Sequence, residues 1–275
     1  VKKNLTTSLF AGLLAVSTAA SQTAADTSVY RLHPKVDIPV AAAGISLGAV
    51  AYIASQNLPE RSIAEVEALG RPRLIQLDEQ AISNHAGFAD RASDWLAVGS
   101  LAMPLALLAD AHMRRDAFCL AALAVETGII TQSVTLATKR LVLRNRPYVF
   151  NDKVPSIEKT LPDARLSFFS GHTSTTASMS FFTAKVWSDY HPDSRWKPVV
   201  WAGAATLPAL TGYLRYRAGK HYFTDVAAGY AVGALVGYFV PHFHKQKRKH
   251  GRKRLSFSVP ATDDGTAAIA LHFRP

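Results

Sequence analysis

The residues best suited to chemistry lie in three separated stretches. In Arg215-Tyr216-Arg217-Ala218-Gly219-Lys220-His221-Tyr222-Phe223-Thr224-Asp225 the last five residues set His221 and Asp225 four apart. With Asp225 in the first turn of a following helix, that spacing places both side chains on one face. The carboxylate then accepts the Nδ1 proton of the imidazole and leaves Nε2 as a free lone pair, which makes His221 a nucleophile or a general base. Arg215 offers a fork of donors suited to a phosphoryl group. Upstream, Lys139-Arg140-Leu141-Val142-Leu143-Arg144-Asn145-Arg146-Pro147 carries Lys139 and Arg146 seven apart. Two helical turns separate them, so one shared face is expected, with Pro147 ending the helix. Two cations converging there make an oxyanion clamp. Between these stretches lies Ser167-Phe168-Phe169-Ser170-Gly171-His172-Thr173-Ser174. Ser170 brings a hydroxyl donor, Gly171 a backbone that a ligand approaches closely, the following helix start a set of free N–H groups, and His172 a proton donor. Each piece alone has a plainer reading: a histidine at a helix start, a basic juxtamembrane anchor, a chance tripeptide.

Together the three are far more specific. Lys, six residues, Arg-Pro; then Ser-Gly-His; then Arg, five residues, His, three residues, Asp: that order resembles the type 2 phosphatidic acid phosphatase (PAP2) superfamily. The superfamily also includes bacterial non-specific acid phosphatases, glucose-6-phosphatase and vanadium haloperoxidases. The resemblance runs from Ser83 to Val240 and departs from the common pattern twice, with Phe169 in place of proline and Leu214 in place of serine. Neither replaced residue is the family's acid or nucleophile, but Leu214 removes a hydroxyl from the phosphate shell. The resemblance implies that His221 attacks phosphorus to form a phosphohistidine and that Asp225 fixes its tautomer. It implies that His172 protonates the leaving alkoxide and then activates water. Lys139, Arg146, Arg215, Ser170 and the Gly171 N–H would bind the phosphoryl oxygens. Three fixed cations can neutralise the equatorial oxygens of a phosphoryl group. No Asp/Glu cluster of metal-ligand type lies near the motifs, so no metal and no cofactor are expected.

The elements that must position these residues are read from hydropathy. The chain has 275 residues, 48% hydrophobic and 19% charged, with a net charge of +11; its mean hydropathy is +0.06 and its pI about 9.8. Such a balance excludes disorder, and the basic excess suits an anionic membrane surface, nucleic acid or anionic substrates. Cys119 is the single cysteine, which rules out an intrachain disulfide framework and a cysteine-based metal site. Residues 1–25 have the layout of a secretory signal or an uncut N-terminal anchor. Six apolar blocks follow at Val36–Ser55, Trp95–Ala109, Phe118–Ala137, Thr173–Val186, Val199–Tyr213 and Val226–Val240. They are rich in Ala and Gly, which lets helices approach closely, and the fourth is lined with Ser and Thr. The expectation is an all-α, six-helix transmembrane bundle of PAP2 type over residues 36–243. A basic run and tail over 244–275 would end in a short β-hairpin around Asp263-Asp264-Gly265. The polar segment Gln56–Asn84 reads as a surface helix or a connector. By default Arg144 is an exposed basic residue, Asp90, Arg91 and Asp94 a solvated helix start, and Tyr216 and Trp95 packing or interface aromatics.

Arg114, Arg115, Arg195, Lys197 and the basic run sit in alternate connections, which the positive-inside rule assigns to the cytoplasm. The motif-bearing loops then face the periplasm from a bacterial inner membrane. A cleaved leader followed by six spans would reverse this; loop placement is taken from the charges. The expected function is a membrane phosphatase acting on a lipid phosphate or diphosphate. The alternatives are a soluble periplasmic acid phosphatase with the same site, a vanadium-dependent haloperoxidase, and a non-enzymatic basic membrane-surface protein. Nucleic acid is not an expected partner, and the residues are silent on oligomeric state.

Overall fold

The computed structural model describes residues 28–246, 255–258 and 270–273. The expected leader over 1–25, nearly all of the basic run and the expected turn at Asp263-Asp264-Gly265 lie outside the described residues. The chain divides into two compact units, the second beginning at Gln246. In that second unit, strands β1 (Leu255–Ser258) and β2 (Ala270–Phe273) pair antiparallel.

In the first unit every apolar block lies in helix. The elements are α1 (Pro34–Gln56), the short α2 (Ile63–Glu67) and α3 (Gln76–Ile82), α4 (Gly87–Leu101), α5 (Ala111–Arg115) and α6 (Ala117–Val142). They continue with α7 (Ser156–Thr160), α8 (Gly171–Tyr190), α9 (Lys197–Arg217) and α10 (Phe223–His244). Three stretches are long and apolar enough to cross a membrane: Pro34–Gln56, Ala117–Phe150 and Phe223–His244. A fourth is reached if α4 and the 3₁₀ segment Met103–Ala109, bent by 41° at Ala102, count as one span. The expected count of six spanning helices is therefore corrected among the described residues. The physical reason is composition: α8 is dense in Ser and Thr and contains Lys185 and Asp189, and α9 carries Lys197, Pro208, Arg215 and Arg217. The helices turn large apolar side chains outward, among them Val50 at 66%, Trp95 at 77% and Leu235 at 55% exposure. Lipid rather than water accounts for such surfaces on long apolar helices.

The polar helix α8 is the centre of the bundle. It packs against α10, α9, α6 and α4, while α1 lies along α6. Most of its hydroxyls turn back on their own helix: Thr175 Oγ1 donates to Gly171 O (2.8 Å), Thr176 Oγ1 to His172 O (3.0 Å) and Thr183 Oγ1 to Met179 O (2.7 Å). Small side chains then let α10 come into backbone contact. A Cβ on Gly229, Gly233 or Gly237 would lie 2.5, 2.2 or 2.3 Å from the carbonyl oxygen of Ser170, Ser174 or Ser178. These glycines, one per helical turn, set the distance between the two helices that carry His172 and Asp225. Gly233→Ala is accordingly expected to force α10 off α8 and to cost about 1–3 kcal/mol, the usual range for overpacking. Thermal unfolding in detergent checks this; an unchanged melting temperature would contradict the close contact.

Candidate active site

Each catalytic candidate sits where a helix begins or ends, at one end of the bundle. Helix α9 ends at Arg217 and the chain turns through Gly219 at φ +69°. A Cβ there would lie 2.1 Å from the Asn84 carbonyl oxygen, so the turn requires glycine on both conformational and steric grounds. Tyr148 donates its N–H to Gly219 O (3.1 Å), and α10 starts two residues after His221, with Asp225 in its first turn. The imidazole of His221 is buried at 1% exposure. Its Nδ1 stands 3.7 Å from Asp225 Oδ2 and has no hydrogen-bond partner. The expected direct hydrogen bond from His221 to Asp225 is therefore absent.

The reason is that Asp225 is already engaged. Its Oδ2 accepts the Tyr222 N–H (3.0 Å), which caps α10, and the Ser167 hydroxyl (2.5 Å), while Oδ1 accepts Arg144 Nη1 (2.5 Å). Arg144 also donates Nη2 to Asp78 Oδ2 (2.8 Å) and lies 4.0 Å over the Tyr222 ring. Asp78 in turn accepts the N–H and hydroxyl of Thr224 (3.0 and 2.7 Å). Arg144 is thus not the exposed side chain expected by default; it is the bridge between two buried carboxylates. The polar segment after α1 supplies Asp78 and so buttresses the start of α10.

Lys139 and Arg146 do not share a helical face. Helix α6 stops at Val142, because Leu143 takes a left-handed conformation at φ 48°, and Arg146 lies beyond it at the start of the 3₁₀ segment Pro147–Phe150. Both still reach the site, through the loop before α8. Lys139 Nζ donates to Leu166 O, and Arg146 donates Nε to Asp163 O (2.9 Å) and Nη2 to Asp163 Oδ1 (2.7 Å). Burial would raise the Asp163 carboxyl, but Arg146 and Lys139 hold it below its usual range.

At the start of α8, Ser170 is fully buried. Its Oγ accepts from the Thr173 hydroxyl (2.8 Å) and caps the helix, and its N–H donates to Asp225 O (3.0 Å). Gly171 is in contact with the lysine: a Cβ there would lie 3.8 Å from Lys139 Cε. His172 Nε2 lies 2.7 Å from Asp94 Oδ1. Arg215, 5% exposed, donates Nη1 to Asp90 Oδ1 (2.6 Å), with Ser93 Oγ at 3.3 Å and Asp94 Oδ1 at 3.4 Å. Asp90 and Asp94 are therefore ion-pair partners of the site rather than only a solvated helix start.

The electrostatics show which of these groups converge. Burial, then Lys139, Arg146 and Arg215, hold the His221 imidazole well below its usual value. Burial and Arg215 push His172 down to about 4, against the pull of its bond to Asp94. The charges of Lys139, Arg146 and Arg215, and His172, thus all act against protonation of His221. An unfolded imidazole takes up its proton near pH 6.5 while folded His221 stays neutral, so the unfolded state binds more protons as pH falls. Stability contributed by His221 is full above about pH 6.5 and declines below it, and His172 adds in the same sense down to about pH 4. Melting temperatures from pH 8 to 5 are expected to fall on acidification, and to fall less in His221→Gln. Parallel curves would contradict the burial of a neutral His221.

A lipid A 4'-phosphatase of Porphyromonas gingivalis is 34% identical over 77 residues, which is 28% of this chain and 29% of that protein, so the match spans less than a third of the relative's length. A crystal structure of a transmembrane PAP2-type phosphatidylglycerolphosphate phosphatase from Bacillus subtilis aligns with a TM-score of 0.47 at 20% identity, over 77% of this chain and 98% of that one. The PAP2 superfamily model matches residues 99–249, more than half of the chain and the whole span from the start of α6 to the end of α10, and the chain belongs to that superfamily.

Proposed function

We propose that this protein is a membrane-bound phosphatase that removes a phosphoryl group from a lipid phosphate or diphosphate, with residues 36–243 as its catalytic domain. The observation that carries the reading is the buried His221 imidazole, 3.7 Å from Asp225, which burial and the charges of Lys139, Arg146 and Arg215 hold well below its usual pKa. A nucleophile must keep its lone pair, and cations that hold His221 unprotonated are the same cations that attract a phosphate dianion. In the first step a ring nitrogen of His221 forms a bond to phosphorus as the P–O bond to the lipid breaks, and His172 gives its proton to the departing oxygen. In the second step water attacks phosphorus, His172 takes the proton, the P–N bond breaks and inorganic phosphate leaves.

Lys139, Arg146 and Arg215, with the Ser170 hydroxyl and the Gly171 N–H, neutralise and orient the phosphoryl oxygens, so the reaction proceeds without a metal. Burial and the charges of Arg215 and Arg146 press His172 toward its neutral form. A bound dianion offsets those charges and returns His172 to its protonated, acidic form. Asp225 acts on His221 as a fixed nearby charge, locked by Arg144 and Ser167, rather than through a direct bond.

The lipid substrate class is supported by the lipid-facing helices and by the activity for which the P. gingivalis relative is named. An inner-membrane protein with its site toward the periplasm follows from the charges. Arg114, Arg115, Arg195, Lys197 and Lys245 flank the ends of the helices opposite to those bearing His172 and His221. Phosphate release by the purified protein in detergent, over a panel of phosphatidate, phosphatidylglycerol phosphate, undecaprenyl diphosphate and lipid A phosphates, tests the substrate class. Turnover of at least one lipid is expected; turnover confined to small soluble esters would contradict it. Arg146→Lys and Arg215→Lys should each reduce turnover strongly, because an ammonium cannot reproduce the guanidinium fork. Near-normal rates in both would remove these arginines from the phosphate.

A further inference from the structure

The opposite end of α10 carries a second constellation that phosphoryl transfer does not use. His244, the last residue of α10, is buried. Its Nδ1 donates to the Val240 carbonyl oxygen (2.7 Å), which fixes the ring and leaves Nε2 as the nitrogen available to a metal ion. Nε2 faces two carboxylates, donating to Asp37 Oδ1 at 3.0 Å with Glu126 Oε2 at 3.8 Å, so a metal ion bound here would take the place of the Nε2 proton. His33, which is exposed, offers a further ring nitrogen, and one ligand atom each from His33, Asp37 and His244 lie within 4.8 Å of one another.

These groups come from three parts of the chain that the fold holds in register. Asp37 is in the first turn of α1, Glu126 is in α6 against which α1 packs, and His244 ends α10. The Asp37 carboxylate is oriented by the His33 N–H (2.6 Å to Oδ2), and the Arg31 N–H donates to His244 O (3.0 Å), tying the chain before α1 to the end of α10. Glu126 is 9% exposed and, among the described residues, is engaged only by the His244 ring at 3.8 Å. Two carboxylates and an imidazole nitrogen that converge on one point suit a single cation, a proton or a metal ion. Asp37 and Glu126 both lie in helices apolar enough to cross a membrane, where ionisable residues mark function by default.

We propose that His33, Asp37, Glu126 and His244 form a binding site for a divalent first-row cation of the zinc type. Two imidazoles and two carboxylates match the ligand preference and coordination number of zinc. Ligand atoms about 2.0–2.2 Å from zinc lie about 3.3–3.6 Å apart in a tetrahedron, so His33, Asp37 and His244 need to close in from their present spacing and Glu126 must swing in as the fourth ligand. The Val240 carbonyl is the outer partner that fixes the His244 tautomer. Exposed His33 leaves a way in from solvent. Asp225 and His244 are separated by about 28 Å of helix at 1.5 Å per residue, so this cation is remote from the phosphoryl site and ties α1, α6 and α10 together at the other end of the bundle.

The test uses the full chain in detergent, stripped with chelator, reloaded with Zn²⁺ and desalted. One zinc per chain is expected in the wild type. At least a tenfold loss of affinity is expected in His33→Ala, a change at an exposed side chain that the fold tolerates, and in His244→Gln. His112→Ala, on a side chain 80% exposed at a different cluster, should leave zinc content unchanged. Cobalt(II) in place of zinc should give the intense visible absorption of a tetrahedral site in the wild type and lose it in His33→Ala. Zinc content equal in wild type and His33→Ala would overturn the proposal, as would a loss confined to His112→Ala. An absence of zinc from the reloaded wild type would likewise overturn it.

Discussion

Replacing His221 with alanine is expected to abolish phosphate release from every substrate, lipid or aryl alike. The side chain is buried, and burial with the charges of Lys139, Arg146 and Arg215 disfavours its protonation, which keeps a ring nitrogen free to attack. Loss of a covalent nucleophile costs about 10⁴–10⁶-fold in kcat where it has been separated from binding. The shape-matched His221→Gln should fall equally far, which separates lost chemistry from a lost fold, since glutamine fills the same space. Activity above a tenth of wild type in either variant would assign the attack to another group.

His172 has a different task, and its loss should depend on the substrate. A lipid alkoxide is a poor leaving group and needs a proton as the P–O bond breaks; an aryl oxide does not. His172→Ala is therefore expected to lower turnover of a lipid monoester by about the 10²–10⁴-fold typical of general acid catalysis, with a much smaller loss on the first step with an aryl ester. The two rates, measured on one preparation, form their own control against misfolding. Equal losses on both would make His172 a binding residue rather than the acid.

How much of this was legible beforehand divides along a physical line. The site candidates His221, His172, Arg215, Lys139 and Arg146 were readable because their spacing within each stretch is local, and the helices because apolar blocks of this length have few other solutions. The shared helical face of Lys139 and Arg146 was not, since a left-handed Leu143 breaks α6 four residues before Pro147, and leucine gives no warning of that conformation. The count of spanning helices failed because α8 is central by being small and self-bonded, not by being apolar. The partners of the site were invisible for another reason. Asp78 with Arg144, Asp163 with Arg146, and Asp90 with Arg215 meet across 66, 17 and 125 positions of chain. Asp78-Glu79 and Asp90 look like the acidic first turns of ordinary helices, and only the tertiary fold shows which cation each one meets. For Asp225 the spacing to His221 held, but the hydrogen bond did not, because Ser167, Tyr222 and Arg144 claim the carboxylate first.

The central claim, a covalent phosphoryl-histidine on His221, is tested most directly by rapid quench with an aryl ester carrying labelled phosphate. The label is followed as acid-labile, base-stable counts on the protein. In His172→Ala the first step still proceeds while water lacks its base, so label should accumulate on the enzyme; in His221→Ala none should appear. Label trapped on His221→Ala and absent from His172→Ala would invert the two roles, and no protein-bound label in either His172→Ala or wild type would contradict the covalent route.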